Sequence, residues 1–259
     1  MVDIHSHLLF GVDDGAKTID ESILLLKQAE KIGYTDIVCS SHFYTGRYEN
    51  ENYDKNFEIL KKEIEKQKIN IKIYKGNEVT FKDEILTKIK NVNTMNDTEY
   101  MLVEFKKGLI YSLYKDFLQK LIDMGYKPIL AHIERYPFIK FEEFKELYNM
   151  GIIFQMNIKS IEALSPKMEY FLKEGYIKIV ATDVHHLETR NYDIKNYLEK
   201  LENLVGKEKF QELVYENPKK ILNNENISLE IKGENNEIKK INSASGLFKF
   251  IWNKLFGRA

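Results

Sequence analysis

The six histidines of this 259-residue chain are not scattered. His5 and His7 close the opening run MVDIHSH, His42 follows DIVCSS, His132 ends KPILAH, and His185 with His186 follows IKIVATDV. Residues two apart on a strand share a face, so His5 and His7 can grip one cation as a chelate. Carboxylates occupy the same kind of place: Asp13-Asp14 after the first run, Glu78 in KGNEV, Glu104 in MLVEF and Asp183 in VATD. Acids and imidazoles gathered at one rim would be costly to bury unless cations neutralise them. Five histidines and four carboxylates, with no thiolate, suit two or three borderline or hard cations such as manganese, iron or zinc. Singly, each acid also suits a helix cap and each histidine a packed position; only as a set do they specify a metal centre.

The arginines indicate what such a centre would act on. Only four of the 39 basic residues are arginine, and three follow candidate ligands closely: Arg47, Arg135 and Arg190. Guanidinium presents a planar fork matched to phosphate oxygens, which an ammonium lacks, so a phosphorylated substrate is expected. Surface pairing with acids such as Glu134 or Glu188 is the bland alternative. Cys39 sits inside an apolar run without a phosphate-cradling loop and is read as a core residue, not a nucleophile. His186 is read as a surface histidine rather than a general acid.

To gather these residues the chain needs strands that all end on one side. Four times an amphipathic segment stops at glycine before a short apolar run: KIGYTDIVCS, DMGYKPILAH, NMGIIFQMN and KEGYIKIVATD. Glycine closing a helix ahead of a strand is the punctuation of parallel βα units. Seven strands are predicted, at 1–6, 36–42, 71–78, 99–105, 128–132, 152–157 and 177–183. Helices are predicted at 18–32, 51–67, 82–90, 111–124, 141–150, 159–174, 191–204 and 207–222. The first opens with the capping box Thr18-Ile19-Asp20-Glu21, with Ile23, Leu24, Ala29 and Ile32 as its apolar stripe. The class is α/β, and seven alternating units point to a (βα)7 barrel, one strand short of the TIM type. An open doubly wound sheet is the alternative, and both place chemistry at the carboxyl ends of the strands.

Composition removes other readings. With 43% hydrophobic and 31% charged residues, 4 Pro and 13 Gly, the chain is neither disordered nor collagenous. A net charge of -1 gives no bulk field for nucleic acid, which speaks against a nuclease. One cysteine excludes a disulfide framework. No apolar run approaches the ~20 residues of a membrane-spanning helix, and MVDIHSHLLF lacks the features of a signal peptide, so the cytoplasm is the expected compartment. Residues 1–223 are assigned to the barrel and 224–259 to an appendage, a polar linker followed by LFKFIWNKLF. There Lys249, Lys254 and Arg258 stand beside Phe248, Ile251, Trp252, Leu255 and Phe256. This pattern suits either a helix folded back on the barrel or peripheral contact with a membrane or partner.

The strings IHSHLLFGVDDGAK, SSHFYTG, GNEV, LVEF, AHIERY, ATDVHHLETR and NPKKIL run in this order over residues 1–223. Together they resemble the PHP-type bacterial protein-tyrosine phosphatases of capsule and exopolysaccharide operons. The resemblance implies a distorted (βα)7 barrel with a trinuclear site. A first ion would lie on His5, His7, Glu78 and Asp183, a second on Glu78, Glu104 and His132, and a third on Asp14, His42 and His185. Acids at 14 and 104, where many superfamily members carry histidine, favour the tyrosine-phosphatase branch. It further implies manganese, with iron or zinc as alternatives, and Arg135 and Arg190 as phosphate-binding residues. The implied substrate is a phosphotyrosine protein, a membrane-associated tyrosine autokinase of polysaccharide synthesis.

Arg47 and Tyr44 are added from residue type: the aromatic segment FYTGRYENENY opens beside His42 and suits a phosphotyrosine ring. Three divalent ions against four carboxylates and a hydroxide leave a charge of about +1, which draws phosphate in. Metal-bound water would then attack phosphorus in line, with no phosphoenzyme. Histidinol phosphate or another small phosphomonoester is the alternative substrate, and a noncatalytic metal-binding scaffold the alternative of another class. A metal amidohydrolase also begins with HxH, but its bridging lysine has no counterpart where Glu78 and Glu104 stand.

Overall fold

Runs rich in Val and Ile become parallel strands because each is covered on both faces, by the barrel interior and by helices. The computed structural model describes residues 1–82, 84–106 and 110–231. Its strands are β1 (Val2–Ser6), β2 (Asp36–Cys39), β3 (His42–Phe43), β4 (Lys72–Lys75) and β5 (Glu78–Thr80), then β6 (Tyr100–Glu104), β7 (Lys127–Leu130), β8 (Ile153–Asn157) and β9 (Ile177–Ala181). All pair in parallel, in sheets ordered β1-β2-β4 and β3-β5-β6-β7-β8-β9.

Two of the seven predicted strands are thus broken. The 36–42 strand divides at Ser40-Ser41 and the 71–78 strand at Gly76-Asn77, where polar groups turn to partners on neighbouring segments of the chain. Ser40 N–H donates to the carbonyls of Ser6 and Val38, and Asn77 Nδ2 donates to Ser41 O at 2.9 Å. Because β2 leads into β3 and β4 into β5, the two sheets form one seven-stranded wall. It closes between β9 and β1, where Asp183 N donates to His5 O at 2.8 Å and His7 N to Val184 O at 2.7 Å. That seam distinguishes the barrel from the open-sheet alternative.

Helices α1 (Ile19–Lys31), α2 (Tyr53–Lys66), α3 (Ile85–Lys88), α4 (Tyr111–Asp123), α5 (Phe141–Asn149), α6 (Pro166–Glu174) and α7 (Lys195–Val205) intervene along the chain. The helix predicted over 207–222 is present as α8 (Lys207–Gln211) and α9 (Asn217–Leu222), joined by a π-helical turn over Glu212–Glu216. Pro218 lacks an N–H, so a regular ladder cannot run through it. At α1, Thr18 accepts Glu21 N–H at 3.2 Å, while the Glu21 carboxylate takes Lys17 N–H at 2.8 Å. Its buried face is Ser22, Ile23, Leu25, Leu26 and Ala29, with Leu24 facing out. Ser22 enters the core because its hydroxyl donates to Leu8 O at 2.6 Å, a pairing that apolar periodicity does not register.

Val2, Ile4, Val38, Leu102, Ile129 and Ile179 belong to one inner hydrophobic cluster, which Ile221, Leu222 and Ile227 join from below. Tyr100 OH donates to Glu225 O at 2.6 Å and Tyr148 OH to Leu229 O at 2.7 Å, which ties the segment after α9 to the barrel's lower mouth. The remainder of the predicted appendage, including Lys249, Trp252, Lys254 and Arg258, lies outside the described residues. Among the described residues no helix is long and apolar enough to cross a membrane.

Candidate metal centre

Alternation along a strand carries the inner face from hydrocarbon to charge at the upper mouth. Leu102 gives way to Glu104, Ile179 and Ala181 to Asp183, and Ile153 to Gln155 and Asn157. Three histidines, His5, His7 and His132, depart from this parity. Ile4 is an inner residue, yet the adjacent His5 reaches Glu78, which the irregular register between Asp3 and Ser6 of β1 permits. His132 follows the inner Ala131 and turns in through a left-handed backbone, φ 33°; Asp183 is also left-handed, φ 56°. Such conformations are disfavoured for side chains of this type and persist only where the surroundings hold them. Gly15 lets the Asp13-Asp14 loop fold onto β1, since a Cβ there would lie 1.9 Å from His7 O.

All nine predicted ligands meet at this mouth. They form overlapping groups, His5, His7 and Asp183; His5, Glu78 and His132; His42, Glu78 and Glu104; and His7, Asp14, His42 and His185. Within each group the donor atoms lie within 4.8 Å of one another. Glu78 is shared between two groups, its Oε1 lying 2.8 Å from His132 Nε2 and 3.4 Å from His5 Nε2, its Oε2 3.2 Å from His7 Nε2.

The donor set fits cations. His7 Nδ1 lies 2.7 Å from Asp13 Oδ2, and His5 Nδ1 lies 3.1 Å from Gln155 Oε1. Both partners are acceptors, so each Nδ1 carries a proton, and the two Nε2 atoms face each other at 3.3 Å. Neutral rings would aim lone pairs at each other there, with Asp183 Oδ1 3.4 and 3.7 Å from the two nitrogens. Two donors each about 2.1 Å from a common ion stand roughly 3.0–3.4 Å apart, which is the spacing found. His42 Nδ1 is buried with no hydrogen-bond partner, 3.1 Å from Glu78 Oε2.

Burial and neighbouring charges shift several titratable groups of this ring. Burial opposes ionisation of Asp183, but His5, Arg135 and Arg190 outweigh it and hold the carboxyl well below its usual range. Glu78 is likewise depressed against its burial by His5 and His42. Burial would lower His7, yet Asp13 and then Glu78 raise it well above its ordinary value. Burial and the neighbouring His7 hold His185 far down, a neutral imidazole suited to ligation. Glu104, buried beside Glu78, is raised.

Five supporting residues escaped the sequence reading as such. Asp13, seen there only as an acid beside Asp14, orients His7 and accepts His42 N–H at 2.8 Å. Thr80 Oγ1 donates to Glu104 at 2.6 Å, and Tyr136 OH lies 3.2 Å from His132 Nδ1. Gln155 and Asn157 complete the set. Partners of this kind fix the ring orientation of ligating histidines.

Arg135 and Arg190 converge on Asp183 Oδ2, Arg135 at 2.5 Å. They line a cleft of about 260 Å³ with Asn157, Lys159, Ser160, Thr182 and Asp183. Arg47 and Tyr44 stand elsewhere, on the loop after β3. Arg47 lies 4.8 Å over the Tyr48 ring, which stacks on His42, and Tyr44 OH accepts from Lys106 Nζ. The structure therefore places both on the loop after β3 and not in the arginine cleft, Arg47 against the Tyr48 ring that stacks on His42. His186 faces Glu188 at 3.1 Å, outside the four ligand groups. Cys39 is fully buried, and burial pushes its thiol far up, as expected of a core residue.

Comparison with known proteins agrees with this geometry. The family described as "Capsular polysaccharide synthesis, CpsB/CapC" matches residues 1–223. The tyrosine-protein phosphatase CpsB of Streptococcus agalactiae is 33% identical over 86% of this chain and 99% of its own. The putative tyrosine-protein phosphatase CapC of Staphylococcus aureus is 33% identical over 93% and 98%. Among solved structures, one described as YwqE from Bacillus subtilis and CpsB from Streptococcus pneumoniae, "unique metal-dependent tyrosine phosphatases", superposes with a TM-score of 0.79. It is 28% identical and covers 88% of this chain and 96% of that one. Dihydropyrimidinase from Brevibacillus agri shares the fold alone, with a TM-score of 0.50 at 13% identity over 86% of this chain and 70% of its own. With its barrel, its ring of nine donors and a match spanning the barrel's full length, the chain belongs to the CpsB/CapC family of capsular polysaccharide synthesis.

Proposed function

We propose that this chain is a metal-dependent protein-tyrosine phosphatase that dephosphorylates a tyrosine kinase of capsule or exopolysaccharide synthesis. The convergence of nine imidazole and carboxylate donors beside two arginines on one Asp183 oxygen carries this reading. His5, His7, Glu78 and Asp183 would hold one ion, Glu78, Glu104 and His132 a second, and Asp14, His42 and His185 a third, with manganese as the metal. Bound divalent cations supply Lewis-acid charge and an acidified water for in-line attack on phosphorus.

The chain's own residues do the rest. Arg135 and Arg190 present planar donor forks to the nonbridging phosphate oxygens as charge shifts onto them. Asp183 holds both forks at the edge of the donor ring until phosphate takes them over. The leaving phenolate, with a pKa near 10, needs less protonation than an alkoxide, so no dedicated acid is required. Tyr44 and Arg47, on the loop after β3, would meet the aromatic ring and its peptide. The barrel of 1–223 performs this chemistry in the cytoplasm, while the amphipathic end of 224–259 brings it to a membrane-associated kinase.

Purified protein should hydrolyse a phosphotyrosine peptide with added manganese and leave histidinol phosphate nearly untouched; the reverse preference would move the assignment to small phosphomonoesters. His5→Ala should lose bound metal and reduce kcat/KM by about 10³ or more, whereas Arg135→Ala should keep its metal and lose turnover. Absence of turnover with every metal tried would restore the scaffold reading. Removing 241–259 should impair action on membrane-bound kinase and spare a small aryl phosphate; equal loss on both would remove the tail from the proposal.

A further inference from the structure

Strand β8 supplies none of the nine donors, yet two polar side chains point from it into the ring. Gln155 Oε1 accepts His132 N–H at 2.8 Å and faces His5 Nδ1 at 3.1 Å. Gln155 Nε2 donates to Asn157 Oδ1 at 2.9 Å, and Asn157 Nδ2 donates to Asp183 Oδ2 at 2.7 Å. The ends of this chain fix its sense. A backbone N–H can only donate and an ionised carboxylate can only accept, so neither amide can be reversed without facing like against like at both ends. Gln155 is fully buried and Asn157 nearly so, which makes such a reversal expensive.

Two consequences follow from the fixed sense. A neutral His5 must carry its proton on Nδ1, which leaves Nε2 bare toward His7, Glu78 and Asp183. The two left-handed residues of the ring, His132 and Asp183, are each gripped by one end of the chain, His132 through its backbone and Asp183 through its carboxylate. In addition, Asp183 Oδ2 receives three donors, Arg135, Arg190 and Asn157. On the reading above, a phosphate draws both guanidinium groups away, and Asn157 is then the side-chain donor left on that oxygen.

We propose that Gln155 and Asn157 are positioning residues of the metal centre. Their amide relay sets the tautomer of His5 and keeps Asp183 turned toward the ring when Arg135 and Arg190 engage phosphate. The relay rests on the proposed function only in this last clause; the first concerns metal binding alone.

The test uses the full chain stripped of metal, with manganese binding measured by calorimetry in the presence and absence of saturating inorganic phosphate. Circular dichroism checks that each variant is folded. Gln155→Leu keeps the volume and removes the acceptor, and should weaken manganese binding about 10- to 100-fold without phosphate. Gln155→Glu retains an acceptor for His5 and His132 but sets an oxygen against Asn157 Oδ1, and should recover part of that loss. Asn157→Leu should weaken manganese binding less than Gln155→Leu does without phosphate, because the arginines still hold Asp183. With phosphate it should bind about tenfold more weakly than wild type under the same condition.

A Gln155→Leu affinity within threefold of wild type, or no recovery in Gln155→Glu, would overturn the tautomer role. An Asn157→Leu defect equal with and without phosphate would overturn the hand-over. Should wild type bind manganese but fail to hydrolyse phosphotyrosine, the proposed function fails while the Gln155 comparison still decides the relay.

Discussion

The two mouths of the barrel are built from the same strands and obey opposite rules. At the lower end, Val2, Ile129, Ile153 and Ile179 meet Ile221, Leu222 and Ile227 in hydrocarbon packing. At the upper end the same strands present His5, His132, Gln155 and Asp183, all buried and all polar. Burial at the lower end stabilises by roughly 25 cal/mol per Å² of apolar surface, whereas the upper end gathers buried carboxylates and imidazoles at a desolvation cost. The contrast separates what folds the chain from what works in it: stability resides below, and the upper mouth spends some of it on a preformed donor ring.

Ile129→Ala should strike the lower end hardest, with a loss of about 2–5 kcal/mol of unfolding free energy by denaturant titration. Metal content and turnover per folded molecule should change little. If turnover falls with stability, the two ends are not separable. Arg135→Lys should do the converse, lowering kcat for a phosphotyrosine peptide about 10²-fold at unchanged melting temperature, because an ammonium cannot reproduce the fork.

A smaller effect distinguishes the metal-free from the loaded protein across pH. His7 is raised in the fold, so its stabilising contribution is complete below about pH 6.5 and fades as pH climbs through its folded value. Glu78 is depressed, so its contribution is complete above its ordinary carboxyl range and fades as pH drops through its folded value. The stripped protein should therefore lose melting temperature on both sides of mildly acidic pH. The loaded protein should not decline on the alkaline side, since a cation replaces the proton; parallel curves would contradict this. Smallest of all, Lys219→Ala below the barrel removes a 3.0 Å contact to Asp36 and should cost no more than about 1 kcal/mol, because Tyr74 and Thr35 also serve that carboxylate.

The donor ring was readable in the sequence because imidazole and carboxylate recurring at strand ends is a rare coincidence of type and place. The parallel units were readable through their glycines. What remained hidden was neutral or long-range. Gln155 and Asn157 carry no charge in the run IIFQMN, and their partners, His5 and Asp183, lie on other strands. The breaks at Ser40-Ser41 and Gly76-Asn77 were hidden for a related reason: each run is apolar enough for one strand, and only tertiary packing shows the bend. At Gly76 that packing is tight, since a Cβ would meet Val38 Cγ1 at 2.5 Å.

The seam between β1 and β9 has a consequence for how the molecule holds together. His5 and Asp183 share a backbone bond there and also aim their side chains at one point, although nearly the whole barrel separates them in sequence. An ion gripped by both would act as a clasp on a loop that spans most of the barrel, where tethering restricts the unfolded chain strongly. Loading should then slow unfolding of the entire ring of strands, so the same atoms that make the molecule reactive would also make it durable.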